Sequence, residues 1–238
     1  MKEDISNSLE TLRKKIINSC KECNDGIKFI NGEFIDCECM KEFKRQSEFT
    51  SANIPKKHYD FDLRRLTDDF KNQNEKPLKI VYKYLDGLSK NIENGNGLFF
   101  QSETGLGKTA LSCLILMRAI NKGYKGFFIK FTDLINLFFT SMESEVSMDQ
   151  LEYIKSCDII CIDRIDYGHI KGDSYIEKRI DETFSSIYDN KIALLLTSNA
   201  SRSNLDYTFI HLLSDLVDIV FVGIPFRDSA RTLDNIMS

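Results

Sequence analysis

The chain has 238 residues, of which 42% are hydrophobic and 29% are charged, and its formal net charge is −4. A chain of this length can bury one α/β core and still leave several dozen residues for an appendage. The negative charge excludes a protein that coats DNA through its overall field, so any contact with nucleic acid needs a local basic surface. No apolar run approaches the length of a membrane span, and the first residues are acidic where a secretion signal would be basic. We therefore expect a cytoplasmic protein that makes no contact with a membrane.

The amino-terminal segment combines a helix with four closely spaced cysteines. Apolar residues recur at helical spacing between Ile5 and Asn18. The four cysteines that follow form a C-x2-C-x13-C-x-C pattern and are Cys20, Cys23, Cys37 and Cys39. Zinc takes four thiolates in a tetrahedron, and two short cysteine-containing turns joined by a hairpin supply that arrangement. The alternative is four unrelated thiols near a flexible end, because the second pair is C-x-C and not the commoner C-x2-C.

A hairpin between the two cysteine pairs is predicted from two short apolar runs, 28–30 and 33–35, with Asn31-Gly32 as the turn. A segment this short has little core of its own, so metal binding would supply most of its folding energy. The other three cysteines, Cys113, Cys157 and Cys161, lie in apolar stretches and are expected to be buried small hydrophobic residues.

Breaks in the pattern divide the chain into three parts. A charged helix over 40–50 ends before the Ile54-Pro55 junction, because proline disfavours a helical residue before it. An extended segment is expected over 56–62. We therefore expect a small helical, zinc-binding domain over 1–50, a linker over 51–75 and a larger domain over 76–238.

Strand and helix patterns alternate through the third part. After a helix over 77–91 and a turn at 94–97, strands are predicted at 98–100, 126–130, 158–163, 191–198 and 218–223. Helices are predicted between them at 110–121, 133–142, 151–156, 175–188 and 203–216. This alternation favours an α/β fold in three layers, with a mostly parallel sheet covered by helices on both faces.

The segment 101–109 has the form of a phosphate-binding loop between a strand and a helix. Gly105 and Gly107 would let the backbone approach a triphosphate, the ammonium of Lys108 would lie against the β and γ phosphates, and the hydroxyl of Thr109 would hold magnesium. Ser102 stands where the motif has its first glycine, and a serine can follow that turn if no positive φ is needed. The predicted nucleotide-binding residues are Thr104, Gly105, Leu106, Gly107, Lys108, Thr109 and Ala110. The alternative is a glycine-containing turn before an ordinary helix.

Two further strands end in polar side chains that could complete this site. Asp163 ends an apolar strand and is the candidate carboxylate for magnesium, as expected at the carboxyl end of a buried parallel strand. Asn199 follows the next apolar strand and is a candidate for orienting the attacking water. The alternatives are a structural aspartate at a strand end and an asparagine in a turn.

With these motifs in order, the chain resembles the AAA+ ATPases that load replicative helicases in bacteria and phages, the DnaC/DnaI type, with the IstB-type transposition ATPases as relatives. The motifs that carry the resemblance are the four cysteines, Ile54-Pro55, Gly105–Thr109, Ile162-Asp163, Thr197–Asn199 and Gly223–Arg227. The resemblance implies an AAA+ P-loop fold that binds ATP and Mg²⁺ and contacts single-stranded DNA. It also implies a zinc-binding amino-terminal domain that grips the replicative helicase, on which several copies of the chain could assemble.

The resemblance also assigns residues, and two departures bear on hydrolysis. Arg227 resembles the arginine that senses the γ phosphate from the same subunit, and the alternative is a solvated arginine in a turn. Together with Lys108, Asp163 and Asn199 it completes the predicted catalytic set. Arg164 replaces the second acidic residue of the family, and Asp215 stands where the family has the arginine that reaches a neighbouring subunit. Both departures predict slow hydrolysis, unless Asp166, Arg202 or Arg231 substitutes.

Three functions stay open on this basis: a helicase loader with weak ATP hydrolysis, a hydrolysis-deficient adaptor or inhibitor of a replicative helicase, and an IstB-like transposition ATPase. For the DNA contact, the sequence offers Lys122, Lys125, Lys130, Phe131 and Thr132, where a base could stack on an aromatic ring beside basic groups. The alternative for these residues is a solvated basic edge.

Overall fold

In the computed structural model of the chain, the described residues are 2–141, 144–165, 174–199 and 216–222. The chain divides into two compact units, Met1–Tyr59 and Asp60–Ser238. Across the described ranges, no helix combines the length and the apolar character needed to cross a bilayer.

The first unit consists of two helices and a β-hairpin. Helix α1 spans Lys2–Ile16, strands β1 and β2 span Ile27–Ile30 and Glu33–Asp36, helix α2 spans Glu38–Ser51, and a 3₁₀ turn follows at Lys56–His58. The strands pair in antiparallel fashion, and the turn residues Asn31 and Gly32 have φ values of 53° and 91°. Two consecutive positive φ values are typical of the tight turn that matches the twist of a hairpin, so the predicted hairpin and its turn are confirmed.

The core of the first unit is small. Its largest buried aliphatic and phenylalanine side chains are Leu12, Ile17, Phe49 and Ile54. Phe49 contacts the ring of Tyr59 edge-on at 5.4 Å. A core of this size contributes little folding energy, which agrees with the prediction that metal binding supplies most of it.

The second unit begins with short helices. A 3₁₀ turn at Leu63–Arg65 is followed by α3 (Asp68–Gln73), α4 (Glu75–Asp86) and α5 (Leu88–Glu93). Two expectations for residues 56–91 are wrong. The segment expected to be extended starts with the 3₁₀ turn at Lys56–His58. The single helix predicted over 77–91 is two helices separated at Gly87, because glycine is a poor helix former that readily ends a helix.

A five-stranded parallel sheet forms the centre of the second unit. Its strands are β3 (Leu98–Gln101), β4 (Gly126–Lys130), β5 (Ile159–Ile165), β6 (Ala193–Ser198) and β7 (Val217–Val220). They lie in the order β4-β5-β6-β3-β7, and every neighbouring pair is parallel. Among the described residues, the helices of this part are α6 (Lys108–Ile120), α7 (Phe131–Thr140), α8 (Glu145–Lys155) and α9 (Ser174–Asp189). The helix predicted over 203–216 lies almost wholly outside the described residues. The predicted α/β fold with a parallel sheet is confirmed.

Helices cover the sheet on both faces. One face packs with α7, α8 and α9 into a core that includes Ile160, Ile162 and Leu196. Helix α6 lies on the other face, where Leu116 and Ile120 close over Gly126. All three cysteines of this unit are buried, as predicted. Because the strands are parallel, their carboxyl ends meet at one edge, and β6 separates the strand before the phosphate loop from the strand that carries Asp163.

Candidate functional site

The turn between β3 and α6 has the geometry of a phosphate loop. Gly105 and Gly107 have φ values of 96° and 80°, which a residue with a Cβ atom adopts only with strain. Ser102 has no positive φ, and its N–H lies 3.4 Å from the carbonyl oxygen of Ser198 on β6. A serine at the first-glycine position is therefore compatible with this turn. The first N–H groups of a helix have no partner within it, so the start of α6 can stabilise an anion in this loop.

Lys108 is enclosed by the loop. Lys108 is only 6% exposed. Its Nζ donates to the carbonyl oxygens of Ser102 at 2.7 Å and Glu103 at 2.8 Å. Burial lowers the pKa of Lys108 to about 8, while the charge of Asp163 acts in the opposite direction. Both acceptors belong to the loop, so the ammonium is held inside it.

Asp163 joins three elements of the sheet edge. It is 3% exposed, and its Oδ1 accepts hydrogen bonds of 2.7 Å from both the Thr109 hydroxyl on α6 and the Thr197 hydroxyl on β6. Thr197 in turn accepts the N–H of Arg164 at 2.8 Å. A hydroxyl and a carboxylate that converge in this way are oxygen ligands of the kind that Mg²⁺ prefers, so Thr109 and Asp163 fit the predicted magnesium site.

Thr197 is the functional residue that sequence reasoning missed. It belongs to the Thr197–Asn199 motif, in which the sequence indicates a role only for Asn199. The signal that could have found it is its place near the carboxyl end of a strand adjacent to β5, because a short hydroxyl side chain there can reach the carboxylate of Asp163.

The remaining predicted residues divide into those that the structure describes and those that it does not. Thr104 is exposed at the tip of the loop, while Leu106 and Ala110 are buried behind it. Asn199 directly follows β6 and is exposed, and its catalytic role stays a prediction. The positions outside the described residues are Asp166, Arg202, Asp215, Arg227 and Arg231.

The suggested stacking platform for DNA is wrong at its aromatic residue. Phe131 is only 2% exposed and belongs to the core under α7, so its ring is not available to a base. Lys125 places its Nζ 4.2 Å from the centre of the Tyr153 ring, and Lys130 is exposed at the end of β4. These residues form a basic edge without the predicted aromatic surface.

The four amino-terminal cysteines form a cluster that could hold a metal ion. All four sulfur atoms lie within 4.8 Å of one another. Cys20 and Cys37 are 3.9 Å apart, and Cys23 and Cys39 are 3.4 Å apart. A tetrahedral zinc site with Zn–S bonds of about 2.3 Å has S–S distances of about 3.8 Å, so the cluster fits zinc.

The surroundings of the cluster favour a thiolate at one position. A main-chain hydrogen bond from Cys39 lowers the pKa of Cys37 to about 7, whereas burial raises the pKa values of Cys23 and Cys39. The backbone also fixes this position, because the N–H of Cys37 donates to the carbonyl oxygen of Gly26 at 2.8 Å. The thiolate is the form that binds a metal, so the charge of a zinc ion would favour the ionised form of Cys23 and Cys39.

The fold and the loop define the class of this protein: it has an AAA+ P-loop domain, preceded by a small helical unit with a four-cysteine cluster. Residues 34–217 match the family of the IstB-like ATP binding proteins, and the chain belongs to that family.

Individual proteins resemble the chain at lower identity. The chromosomal replication initiator protein DnaA of Aliarcobacter butzleri (strain RM4018) is 26% identical over 196 residues, which cover 80% of this chain but only 42% of DnaA. The crystal structure of the DnaC helicase loader has a TM-score of 0.56 and 21% identity, and the match covers 71% of this chain and 100% of that one. The structure of DnaI has a TM-score of 0.56 and 16% identity, with coverage of 71% and 94%. The two structures show a shared fold, which confirms the predicted AAA+ architecture.

Zinc removal is expected to unfold the first unit. Zinc binding contributes on the order of 10 kcal/mol in small zinc-dependent domains, more than a core of this size is expected to provide. A Cys37→Ser variant should lose bound zinc, measured by release to a colorimetric chelator, and residues 1–59 should become sensitive to protease while the ATP-binding domain stays resistant. Cys157→Ala, which alters a buried cysteine of the second unit, is the matched control and should keep its zinc. Full zinc content in Cys37→Ser would show that the cluster is not the site.

Magnesium ATP should bind through Lys108 and Asp163. Calorimetry on the zinc-replete chain should show that Lys108→Ala loses at least about tenfold in ATP affinity, since a charge-assisted hydrogen bond contributes about 1.5 to 3 kcal/mol. Asp163→Asn should remove the dependence of binding on Mg²⁺. Lys130→Ala removes an exposed lysine from the same edge of the sheet and should bind as the wild type does. Unchanged affinity in Lys108→Ala would contradict the assignment of the loop.

Proposed function

We propose that this chain is a cytoplasmic DNA replication protein that uses bound ATP and Mg²⁺ to load the replicative helicase onto single-stranded DNA, assembling in several copies on the helicase. The observation that carries the proposal is the combination, in one chain, of a four-cysteine unit and an AAA+ domain in which Lys108 is held by the phosphate loop and Thr109 contacts Asp163. Similarity to the fold of the DnaC helicase loader, which the match covers completely, and to DnaA supports it.

The first unit supports a protein partner through its exposed hairpin. Five large apolar side chains on the hairpin are exposed by 42% or more: Ile27, Phe29, Ile30, Phe34 and Ile35. The rings of Phe29 and Phe34 pair at 5.0 Å and are 65% and 79% exposed. Clustered aromatic rings that remain in water are typical of protein interfaces, so we assign the hairpin to the contact with the helicase.

Two ion pairs of the first unit lie beside this hairpin. Lys28 donates to Glu22 at 2.6 Å, and Lys44 donates to Asp36 at 2.6 Å. The hairpin therefore presents rings and aliphatic groups next to neutralised charges. Apolar burial, more than charge, would supply the affinity for a partner on this surface.

The residue after Asp163 supports slow hydrolysis. Arg164 stands where a second carboxylate would polarise the attacking water, and a guanidinium stays protonated and accepts no hydrogen bond. ATP would then act mainly as a ligand that stabilises one assembly state. The same observation favours a second candidate function, an adaptor or inhibitor that holds the helicase without hydrolysing ATP. The family description leaves the transposition ATPase as a third candidate, which gene neighbours would separate from the other two.

The helicase contact is tested with the replicative helicase of the same organism. Size-exclusion chromatography should show a complex with the wild-type chain in the presence of ATP. Replacing both rings, Phe29→Ser with Phe34→Ser, should weaken binding at least about tenfold, because burying one such ring contributes about 1.5 to 3 kcal/mol. Tyr188→Ser is the matched control, since Tyr188 on α9 is 66% exposed in the other unit. If the wild-type chain forms no complex, the proposal of helicase binding fails. If the double variant binds as tightly as the wild type, the hairpin is not the contact surface.

Turnover separates the loader from the adaptor. Phosphate release should be slow for the chain alone, since both the acidic residue and the arginine finger of the family are replaced. For a loader, the rate should increase when helicase and single-stranded DNA are added in turn. Lys108→Ala should abolish whatever turnover is measured. Tight ATP binding with no release under any of these conditions would favour the adaptor and overturn the loader.

A further inference from the structure

Strand β5 loses its regular register just where it reaches the nucleotide site. Ile162 pairs with Leu196 on β6, but the next aligned pair is Ile165 with Ser198, so β5 uses three steps where β6 uses two. The extra residue makes a β-bulge at Asp163-Arg164. Arg164 has a φ of 60° there, which is unfavourable for a residue with a Cβ atom.

The bulge decides which side chain enters the core. Ile160, Ile162 and Ile165 all belong to the core beneath α7, α8 and α9. In a regular strand, residue 164 would follow 162 on that face, because side chains alternate with a period of two. The bulge gives this place to Ile165 and turns Arg164 outward, where its side chain is 63% exposed. Bulges beside functional sites commonly redirect a side chain in this way.

The redirected arginine faces the nucleotide site. The main-chain N–H of Arg164 donates to the Thr197 hydroxyl, which itself donates to Oδ1 of Asp163. Its Nε lies 3.9 Å from the other oxygen of Asp163, Oδ2. The positive charge of Arg164 also contributes to lowering the pKa of Lys108, although burial has the larger effect. The guanidinium thus lies on the open side of the carboxylate whose other oxygen contacts Thr109.

An ion pair with Asp163 alone explains this arrangement poorly. A single pair at 3.9 Å whose arginine is 63% exposed contributes little to stability. A guanidinium presents five donors in a planar fork, which matches phosphate oxygens. Strained backbone that turns such a group toward a phosphate loop is typical of a binding residue.

We propose that Arg164 binds the terminal phosphate of a nucleoside triphosphate held by the phosphate loop, and that it thereby distinguishes a triphosphate from a diphosphate. The family's usual carboxylate at this place would activate water, whereas Arg164 retains the triphosphate. This role rests on the proposed ATP site and adds to it a residue that selects between nucleotide states.

The test compares affinities for magnesium ATP and magnesium ADP on the zinc-replete full chain by calorimetry. Arg164→Gly removes the guanidinium while the positive φ suits glycine, so the bulge should persist. It should weaken ATP binding about tenfold or more and ADP binding less than about twofold. Arg164→Lys keeps the charge without the planar fork, so its ATP affinity should lie between those of the wild type and Arg164→Gly. If Arg164→Gly does not fold, Arg164→Asn provides the same comparison, because asparagine tolerates this backbone conformation.

The outcomes separate the inference from the function on which it rests. An equal loss of ATP and ADP affinity would overturn the inference, because Arg164 would then only position Asp163. Unchanged affinity for both nucleotides would overturn it as well. A wild-type chain that binds neither nucleotide overturns the ATP site itself, and this result is distinct because it precedes any change at Arg164.

Discussion

The carboxylate of Asp163 is the constraint on which the nucleotide site depends. One of its oxygens accepts the hydroxyls of Thr109 and Thr197, so a single buried group connects the helix after the phosphate loop with two strands. A buried charge is stable only when its hydrogen bonds are satisfied, and here the donors come from elements far apart in sequence. The sheet order makes this possible, since it places β6 between β3 and β5.

The first unit has a different physical basis. Two helices and a hairpin bury few large side chains, and its apolar hairpin residues lie largely in water. Four sulfur atoms lie within 4.8 Å of one another, and a zinc ion bound by them would supply the folding energy that the small core lacks. A unit organised by a metal can leave its apolar side chains exposed, because these side chains are not required for folding. A metal held by the cysteine cluster would therefore allow the hairpin to keep its apolar side chains on the surface.

Much of this organisation could be predicted from the sequence, because it rests on local patterns. The cysteine spacing, the Asn31-Gly32 turn and the alternation of strands and helices each depend on neighbouring residues, and the structure reproduces them. Tertiary detail was beyond these patterns. The ring of Phe131 looks available beside Lys130, yet it is buried beneath α7. Neither the bulge at Arg164 nor the hydroxyl of Thr197 could be found, since both depend on how β5 pairs with β6. The role of Asn199, which is exposed after β6, stays a prediction, and so does that of Arg227, which lies outside the described residues.

The central position of β6 has a mechanical consequence. Its last residues are tied to both neighbours, because Ser198 donates its hydroxyl to the carbonyl oxygen of Ile165 and its own carbonyl oxygen faces the N–H of Ser102. The end of β6 therefore cannot shift without disturbing both the phosphate loop and the bulged end of β5. Binding of a nucleotide in the phosphate loop would therefore be coupled to the alignment of β3, β6 and β5, because β6 is hydrogen-bonded to both of its neighbours.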